Sequence, residues 1–258
     1  MQHPYLICEH ISVSRSQTWA ECRAKYKFRY HLKTVVDVPT QPYFIYGKVV
    51  HKIAEEYVRA QGQIPIETLA ADVLSGKIPT EEGAAPPVLD TEYKSKLAEH
   101  LRNVKYISDK IGYDGELEFP FRYDMQPPDN HFITGVIDRL IIRGEKYFIL
   151  DYKTTKKGRW RKNQSNIGKD LQLRCYARVV QKLFNAKVEN IQAALYYLDG
   201  GDLISTKFTE ESVLSAEQEL HEVYKNIIST HPSDAYGRTG DHCKRCDYRK
   251  VCPHYSLT

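Results

Sequence analysis

Several features that would classify a sequence quickly are missing from this one. None of its apolar runs reaches the ~18 residues a membrane-spanning helix needs, so no membrane partner is expected. No Gly-x4-Gly-Lys-[Ser/Thr] loop is present, which excludes an ATP-driven motor built on that phosphate cradle. The opening Met1-Gln2-His3-Pro4-Tyr5 has no basic stretch followed by an apolar core. It does not read as a secretory signal, and a cytoplasmic location is expected. Internal repeats and low-complexity tracts are absent. So is a strong excess of one charge: the net charge is +4, too mild to mark a nucleic-acid binder by itself. Cysteine is scarce and unevenly placed. Six thiols in a reducing compartment are not expected to pair as disulfides, and three of them crowd the C-terminal end as Cys243-x2-Cys246-x5-Cys252. That spacing reads as a metal or cluster site.

What is present is the makeup of an ordinary globular protein: 258 residues, 41% hydrophobic and 27% charged, long enough for one large domain. Positive charge is concentrated locally. Arg15, Arg23, Lys25, Lys27 and Arg29 are interleaved with aromatics, and Lys153, Lys156, Lys157, Arg159, Arg161 and Lys162 surround Trp160. Basic side chains beside aromatics suit phosphate contact with base stacking. Taken alone, either run reads first as a solvated charged face.

Trp19, Tyr26 and Tyr30 fall at near-helical spacing and predict one helix from Ser14 or Ser16 to about Leu32. Further helices are predicted over Tyr46–Ala60 and Asp90–Ile111, with a loop at Glu81–Pro87 between them. The pattern then changes to strands: Glu116–Tyr123, His131–Ile142 and, after a turn at Arg143–Lys146, the nearly all-apolar Tyr147–Leu150. A helix over about Lys169–Phe184, strands near Ile191–Leu198 and Leu203–Phe208, and a long helix Glu210–Ser229 precede the cysteine-rich tail. The core order α-β-β-β-α-β predicts an α/β fold, a mixed sheet flanked by helices. Within a single domain 1–258, this places a helical N-terminal region at 1–112, a core at 113–209, and a C-terminal helix and tail at 210–258.

Two acidic-x-Lys triplets illustrate how context decides chemistry. Glu92-Tyr93-Lys94 lies within a surface helix and is set aside as a chance match. Asp151-Tyr152-Lys153 ends an apolar strand, where alternation puts Asp151 and Lys153 on one face. Asp138 lies inside the preceding strand, in Gly135-Val136-Ile137-Asp138. An apolar strand has no reason to carry an aspartate inward unless something compensates its charge. Two such carboxylates form a hard oxygen site for a divalent cation. A cation there would polarise a phosphodiester and make water more acidic, and Lys153 would steady the charge growing on the phosphate oxygens. The alternative is a buried Asp–Lys ion pair with no metal.

These residues carry a resemblance. Gly135-Val136-Ile137-Asp138 followed by Ile149-Leu150-Asp151-Tyr152-Lys153-Thr154 resembles the RecB-like branch of the PD-(D/E)XK nucleases. Gly47-Lys48-Val49-Val50-His51 is similar to that branch's Gly-x-x-x-His motif, and Gln172-Leu173-Arg174-Cys175-Tyr176 to its Gln-x-x-x-Tyr motif. The resemblance implies a restriction-endonuclease-like core, with His51, Asp138 and Asp151 as ligands for Mn²⁺ or Mg²⁺. It implies catalytic roles for Asp138, Asp151, Lys153, Gln172 and Tyr176, and for Glu118, with Glu116 as a rival for that last position. An imidazole beside two carboxylates is softer than magnesium's preferred all-oxygen shell, which favours manganese binding.

Members of the same branch clamp their chain ends with a 4Fe–4S cluster held by one N-terminal cysteine and a C-terminal Cys-x2-Cys-x5-Cys. By that resemblance Cys22, Cys243, Cys246 and Cys252 are the ligands, with Cys22 ahead of Cys8. Arg23 stands where the family's N-terminal segment carries proline, a departure that leaves the thiolate untouched. Because His242 and His254 flank the triad, a structural Cys₃His zinc site is the alternative. Cys175 reads as core. The implied activity is a metal-dependent DNA exonuclease acting on single strands or duplex ends, in repair, recombination, phage replication or CRISPR adaptation. Lys156, Lys157, Arg159, Trp160 and Arg161 are expected to guide DNA. The small iron–sulfur CRISPR-associated exonucleases and their phage and archaeal relatives are the nearest comparison within the branch. The alternatives are a subunit that trims or binds DNA only within an integrase or recombination complex.

Overall fold

The structure, a computed structural model, describes residues 5–36, 41–125, 131–158 and 161–255. In chain order the helices and strands among them are α1 (Val13–Glu21), α2 (Arg23–Tyr26), α3 (Pro42–Arg59), α4 (Ile66–Leu74), α5 (Thr91–Ile111), β1 (Glu116–Asp124), β2 (Phe132–Arg143), β3 (Lys146–Lys153), α6 (Leu171–Leu183), β4 (Ile191–Tyr197), β5 (Asp202–Lys207) and α7 (Glu210–Ile228). The sheet order is β1-β2-β3-β4-β5. β2 pairs antiparallel with β3, β3 parallel with β4, and β4 antiparallel with β5. The parallel step is bridged by α6, as a parallel pair requires. This is the mixed sheet flanked by helices that the sequence predicts. No described helix is long and apolar enough to cross a membrane.

The chain divides into two compact units. The larger comprises Thr40–Pro120 and Val136–Thr209. In it Tyr46, Val49, Val50, Ile53 and Tyr57 recur at helical spacing on α3 and pack with Leu101 and Val104 of α5 against Leu150 and Tyr152 of β3. Asp90 caps α5, accepting from the Tyr93 N–H at 3.0 Å, and Gly112 ends it at φ +91°. Helix α4 has no counterpart in the sequence reading, although Ile66, Leu69, Ala70 and Val73 follow the i, i+3, i+4, i+7 pattern and are buried. Because Leu150 and Tyr152 face α3–α5, alternation turns Asp151 and Lys153 to the opposite face, where α6 packs on β3 and β4.

The smaller unit comprises Met1–Pro39, Phe121–Gly135 and Glu210–Thr258. Here the single helix expected up to Leu32 is corrected. Ser12 caps α1 by accepting from the Arg15 N–H, and Cys22 then turns extended at φ −162°, ψ 116°. α2 restarts at Arg23, and the helical stretch ends in a π-helical turn over Lys27–His31. The aromatic spacing survives the break, with Trp19 edge-on to Tyr26 at 5.4 Å and Tyr26 against Tyr30 at 4.9 Å between centroids. That continuity is why the periodicity hides the interruption.

Candidate active site and thiol site

The first site lies wholly within the larger unit. The β2–β3 ladder runs from Arg143↔Lys146 to Arg139↔Leu150. Asp138 and Asp151 are the next positions along, beyond the last pair, while β3 stays paired with β4 as far as Lys153↔Tyr197. At that point the Asp138 carboxylate accepts the Tyr152 N–H at 2.8 Å, the place a ladder carbonyl would have taken. His51 of α3 brings Nδ1 to 3.4 Å from the same Asp138 oxygen. Glu118 completes the group: ligand atoms of His51, Glu118 and Asp138 all lie within 4.8 Å of one another. Glu118 sits at φ +45°, a left-handed conformation that costs about 1–2 kcal/mol for a residue with a Cβ and that clusters at functional sites. Nothing in the sequence signals it. Glu116, the rival, is exposed.

Asp151 is buried at 1% exposure, and its partner is the Lys153 ammonium at 2.6 Å. Lys153 also donates to Gln172 Oε1 at 3.1 Å. Gln172 Nε2 donates to Tyr176 Oη at 2.7 Å, and the Tyr176 hydroxyl donates to the Val136 carbonyl at 2.6 Å. One helical turn separates Gln172 from Tyr176 on α6, so both reach the same strand ends. The structure thus brings Asp138, Asp151, Lys153, Gln172, Tyr176 and His51 to one place, but it is Glu118, in place of the Asp151 expected from the sequence, whose carboxylate groups with His51 and Asp138.

The electrostatics are those of crowded carboxylates. Burial, then the charge of Asp138, pushes Glu118 up to about 7. Burial also raises Asp151 to about 6, with Lys153 pulling the other way. For Asp138 the burial cost is more than offset by His51 and Lys153, and its carboxyl stays below the usual range. Burial opposes the charge of His51, but Asp138 outweighs it and the imidazole rises to about 9. Lys153 likewise keeps its charge because Asp151 overcomes its desolvation. One nitrogen and two carboxylates this close could hold a cation in place of shared protons.

An open cleft of about 570 Å³ leads to His51 and Glu118, lined also by Tyr43, Phe44, Lys48 and Thr154. The sequence reading gives none of these four a role, although Tyr43 precedes His51 by two helical turns and is findable by helical projection. In the basic segment after β3, Arg161 donates to Asp199 and Asp202, to the Thr155 carbonyl, and lies 4.6 Å over the Tyr197 ring. Its side chain is 8% exposed; its geometry is that of a loop anchor. Lys156 pairs with Glu92, and Lys157 is exposed. Arg159 and Trp160 lie outside the described residues.

The second site lies wholly within the smaller unit. Cys22, Cys243, Cys246 and Cys252 line one cavity, together with His242 and His254. Cys22 reaches it from the break between α1 and α2. Burial raises the Cys246 thiol, and Cys22 and Cys252 are near enough to add to the rise. Cys243 Sγ is 3.6 Å from His242 Nε2. Cys8 is not among the lining residues; its thiol donates to the His10 carbonyl at 3.1 Å. Cys175 is buried in α6.

A family model described as the PD-(D/E)XK nuclease superfamily matches residues 10–253. No curated protein matches the chain. Among solved structures, a candidate exonuclease from Eubacterium rectale is similar over 93% of this chain and 88% of its own, at 14% identity and a TM-score of 0.57. The protein SSO0001 aligns over 91% of this chain and 96% of its own, at 16% identity and a TM-score of 0.40.

Proposed function

The chain belongs to the PD-(D/E)XK nuclease superfamily; within it, we propose, the protein is a divalent-metal-dependent DNA exonuclease of the RecB-like branch, related to the small iron–sulfur CRISPR-associated exonucleases. The observation that carries this reading is the convergence of His51, Glu118 and Asp138 within 4.8 Å, beside a lysine tied to Asp151 and Gln172. One nitrogen and two carboxylate donors fit Mn²⁺ or Mg²⁺, with Asp151 available beside them. A cation held there supplies Lewis acidity toward the phosphodiester. Lys153 carries a fixed positive charge to the reacting phosphate, and Gln172 and Tyr176 hold its ammonium in place. Of the basic segment, Lys156, Lys157 and Lys162 are the residues we assign to backbone contact, with Arg161 holding the loop.

In the smaller unit we assign the four cysteines to a 4Fe–4S cluster. Their convergence on one cavity supports it. A tetrahedral zinc, with Zn–S of about 2.3 Å, draws its ligands to about 3.8 Å from one another. A Cys₃His zinc site would call for that spacing, whereas a cluster whose irons each take one thiolate accepts a wider spread.

The deciding experiment is a time course with end-labelled single-stranded DNA and blunt duplex, in Mn²⁺, in Mg²⁺ and in chelator. Progressive shortening that requires the metal is the expected result. Clean protein that leaves DNA intact in both metals sinks the proposal.

A further inference from the structure

The first turn of α3 presents Tyr43 and Phe44, 45% and 54% exposed. Their ring centroids are 4.5 Å apart and tilted by 35°. Both rings line the same cleft as His51 and Glu118. Tyr43 and His51 are two helical turns apart, about 12 Å along the axis. Between them Gly47 leaves the helix surface low. A Cβ there would meet Thr154 Oγ1 at 3.9 Å, an ordinary contact, so packing within the protein does not demand a glycine. Lys48, one turn beyond Phe44, adds an ammonium on the same wall, 2.6 Å from Glu81.

Two adjacent aromatic faces in water, on the wall of a cleft that ends at a metal-ligating group, match one ligand chemistry well. A nucleobase offers a flat π-face whatever its identity, and stacking on protein aromatics is accordingly tolerant of sequence. Inside a duplex both faces of a base are covered by its neighbours, so only an unpaired or frayed base has a face to give. Resting on the nuclease reading above, we propose that Tyr43 and Phe44 form a stacking shelf for an unpaired base of the substrate, two turns of α3 away from His51 along the same cleft. The shelf makes an unpaired strand the preferred substrate over a closed duplex.

The test pairs protein variants with substrate variants. Tyr43→Ala, Phe44→Ala and the double variant are compared with wild type on a single strand, on the same strand carrying abasic positions near its end, and on blunt duplex. Both rings are exposed, so the melting temperature should not move. The shelf predicts that the double variant raises KM for the intact single strand by about 5- to 150-fold, the range for one lost base stack, with a smaller change in kcat. On the abasic strand, wild type and double variant should converge, and duplex cleavage should change less than single-strand cleavage, since only its frayed ends reach the shelf. Tyr43→Phe and Phe44→Trp should keep the wild-type preference. Equal losses on single strand and duplex overturn the shelf, as does a loss that persists on the abasic strand. Fluorescence anisotropy of the same strands reads binding without cleavage. If wild type binds the strand but never cuts it, the nuclease reading fails and the binding comparison still decides the shelf. If wild type does not bind the strand, the shelf is overturned too.

Discussion

The acidic site and the thiol site are built in opposite ways. The side chains of the acidic site are held by regular structure: His51 by α3, Glu118 by β1, Asp138 at the end of the β2–β3 ladder, Gln172 and Tyr176 by α6. Each is fixed by backbone bonds that exist whether or not a cation is present. Of the thiols, Cys243 lies in a 3₁₀ turn, Cys246 ends it, Cys252 follows in turns, and Cys22 sits at a helix break. The first is a preorganised group of hard donors; the second is a set of soft thiols with little regular structure to hold them. Removing a group from the first should therefore cost function with the fold intact. In the second it should cost the fold of the unit.

The largest effect tests the first half of that contrast. Asp138→Asn keeps an acceptor for the Tyr152 N–H but removes the charge. Asp151→Ala and Lys153→Ala remove the buried ion pair from either side. Each should lower the cleavage rate by at least ~100-fold, as loss of a preorganised electrostatic group does, while circular dichroism and iron content stay as in wild type. Near-wild-type cleavage by clean Asp138→Asn protein would place the chemistry elsewhere.

The second half is tested at the cysteines. Anaerobically purified protein should be brown, absorb broadly near 400 nm and carry about four irons per chain. Cys22→Ser and Cys246→Ser should both bleach it and expose the tail to protease, because ligation free energy is folding free energy in such a site. Colourless wild-type protein with one zinc per chain would favour the Cys₃His alternative. If Cys22→Ser stays brown while Cys246→Ser bleaches, the cavity's fourth ligand is not Cys22.

How much of each site the sequence discloses follows from the same contrast. Asp138, Asp151 and Lys153 are legible because charges inside or at the end of an apolar strand conflict with their surroundings. Glu118 is legible only as a position in a strand, since its left-handed backbone depends on tertiary context. The break at Cys22 is masked by aromatic residues that keep their contacts across it. Arg161 reads as a phosphate contact because its carboxylate partners, Asp199 and Asp202, are distant in sequence. Glu118→Gln sharpens the first of these gaps. If Glu118 is a ligand, Mn²⁺ affinity measured by calorimetry should fall about 10- to 100-fold, at least the loss typical of groups that support a metal ligand. An unchanged affinity would leave His51, Asp138 and Asp151 as the donor set.

A smaller effect is expected in the basic segment. Lys157→Ala combined with Lys162→Ala should weaken single-strand binding and reduce the slope of log affinity against log salt by about 0.7 for each phosphate contact removed. Arg161→Ala should act differently, lowering the melting temperature because it leaves Asp199 and Asp202 without their partner. A salt slope that Lys157 and Lys162 do not alter would assign the segment to the solvated face.

The smallest effect is expected at Gly47, where the two kinds of cost separate within one residue. Gly47 is inside α3, and a glycine in a helix interior is about 1 kcal/mol less favourable than alanine. The one neighbour a Cβ would meet is Thr154 Oγ1, at 3.9 Å, so alanine fits without displacing anything. Gly47→Ala should therefore raise the melting temperature by about 2–4 °C, the shift that roughly 1 kcal/mol produces in a protein of this size. The added methyl also lies on the wall of the cleft that leads to His51 and Glu118, where a strand would pass. Cleavage should fall by a few-fold even as stability rises, through KM more than kcat, since no group at the reacting phosphate is touched. A gain in stability with no loss of activity would mean the strand does not run along this face of α3. A loss of stability would mean that Thr154 is held too rigidly to accept the methyl. The expected combination, a firmer helix and a poorer enzyme, is what a preorganised site predicts: its scaffold tolerates the change, and its substrate does not.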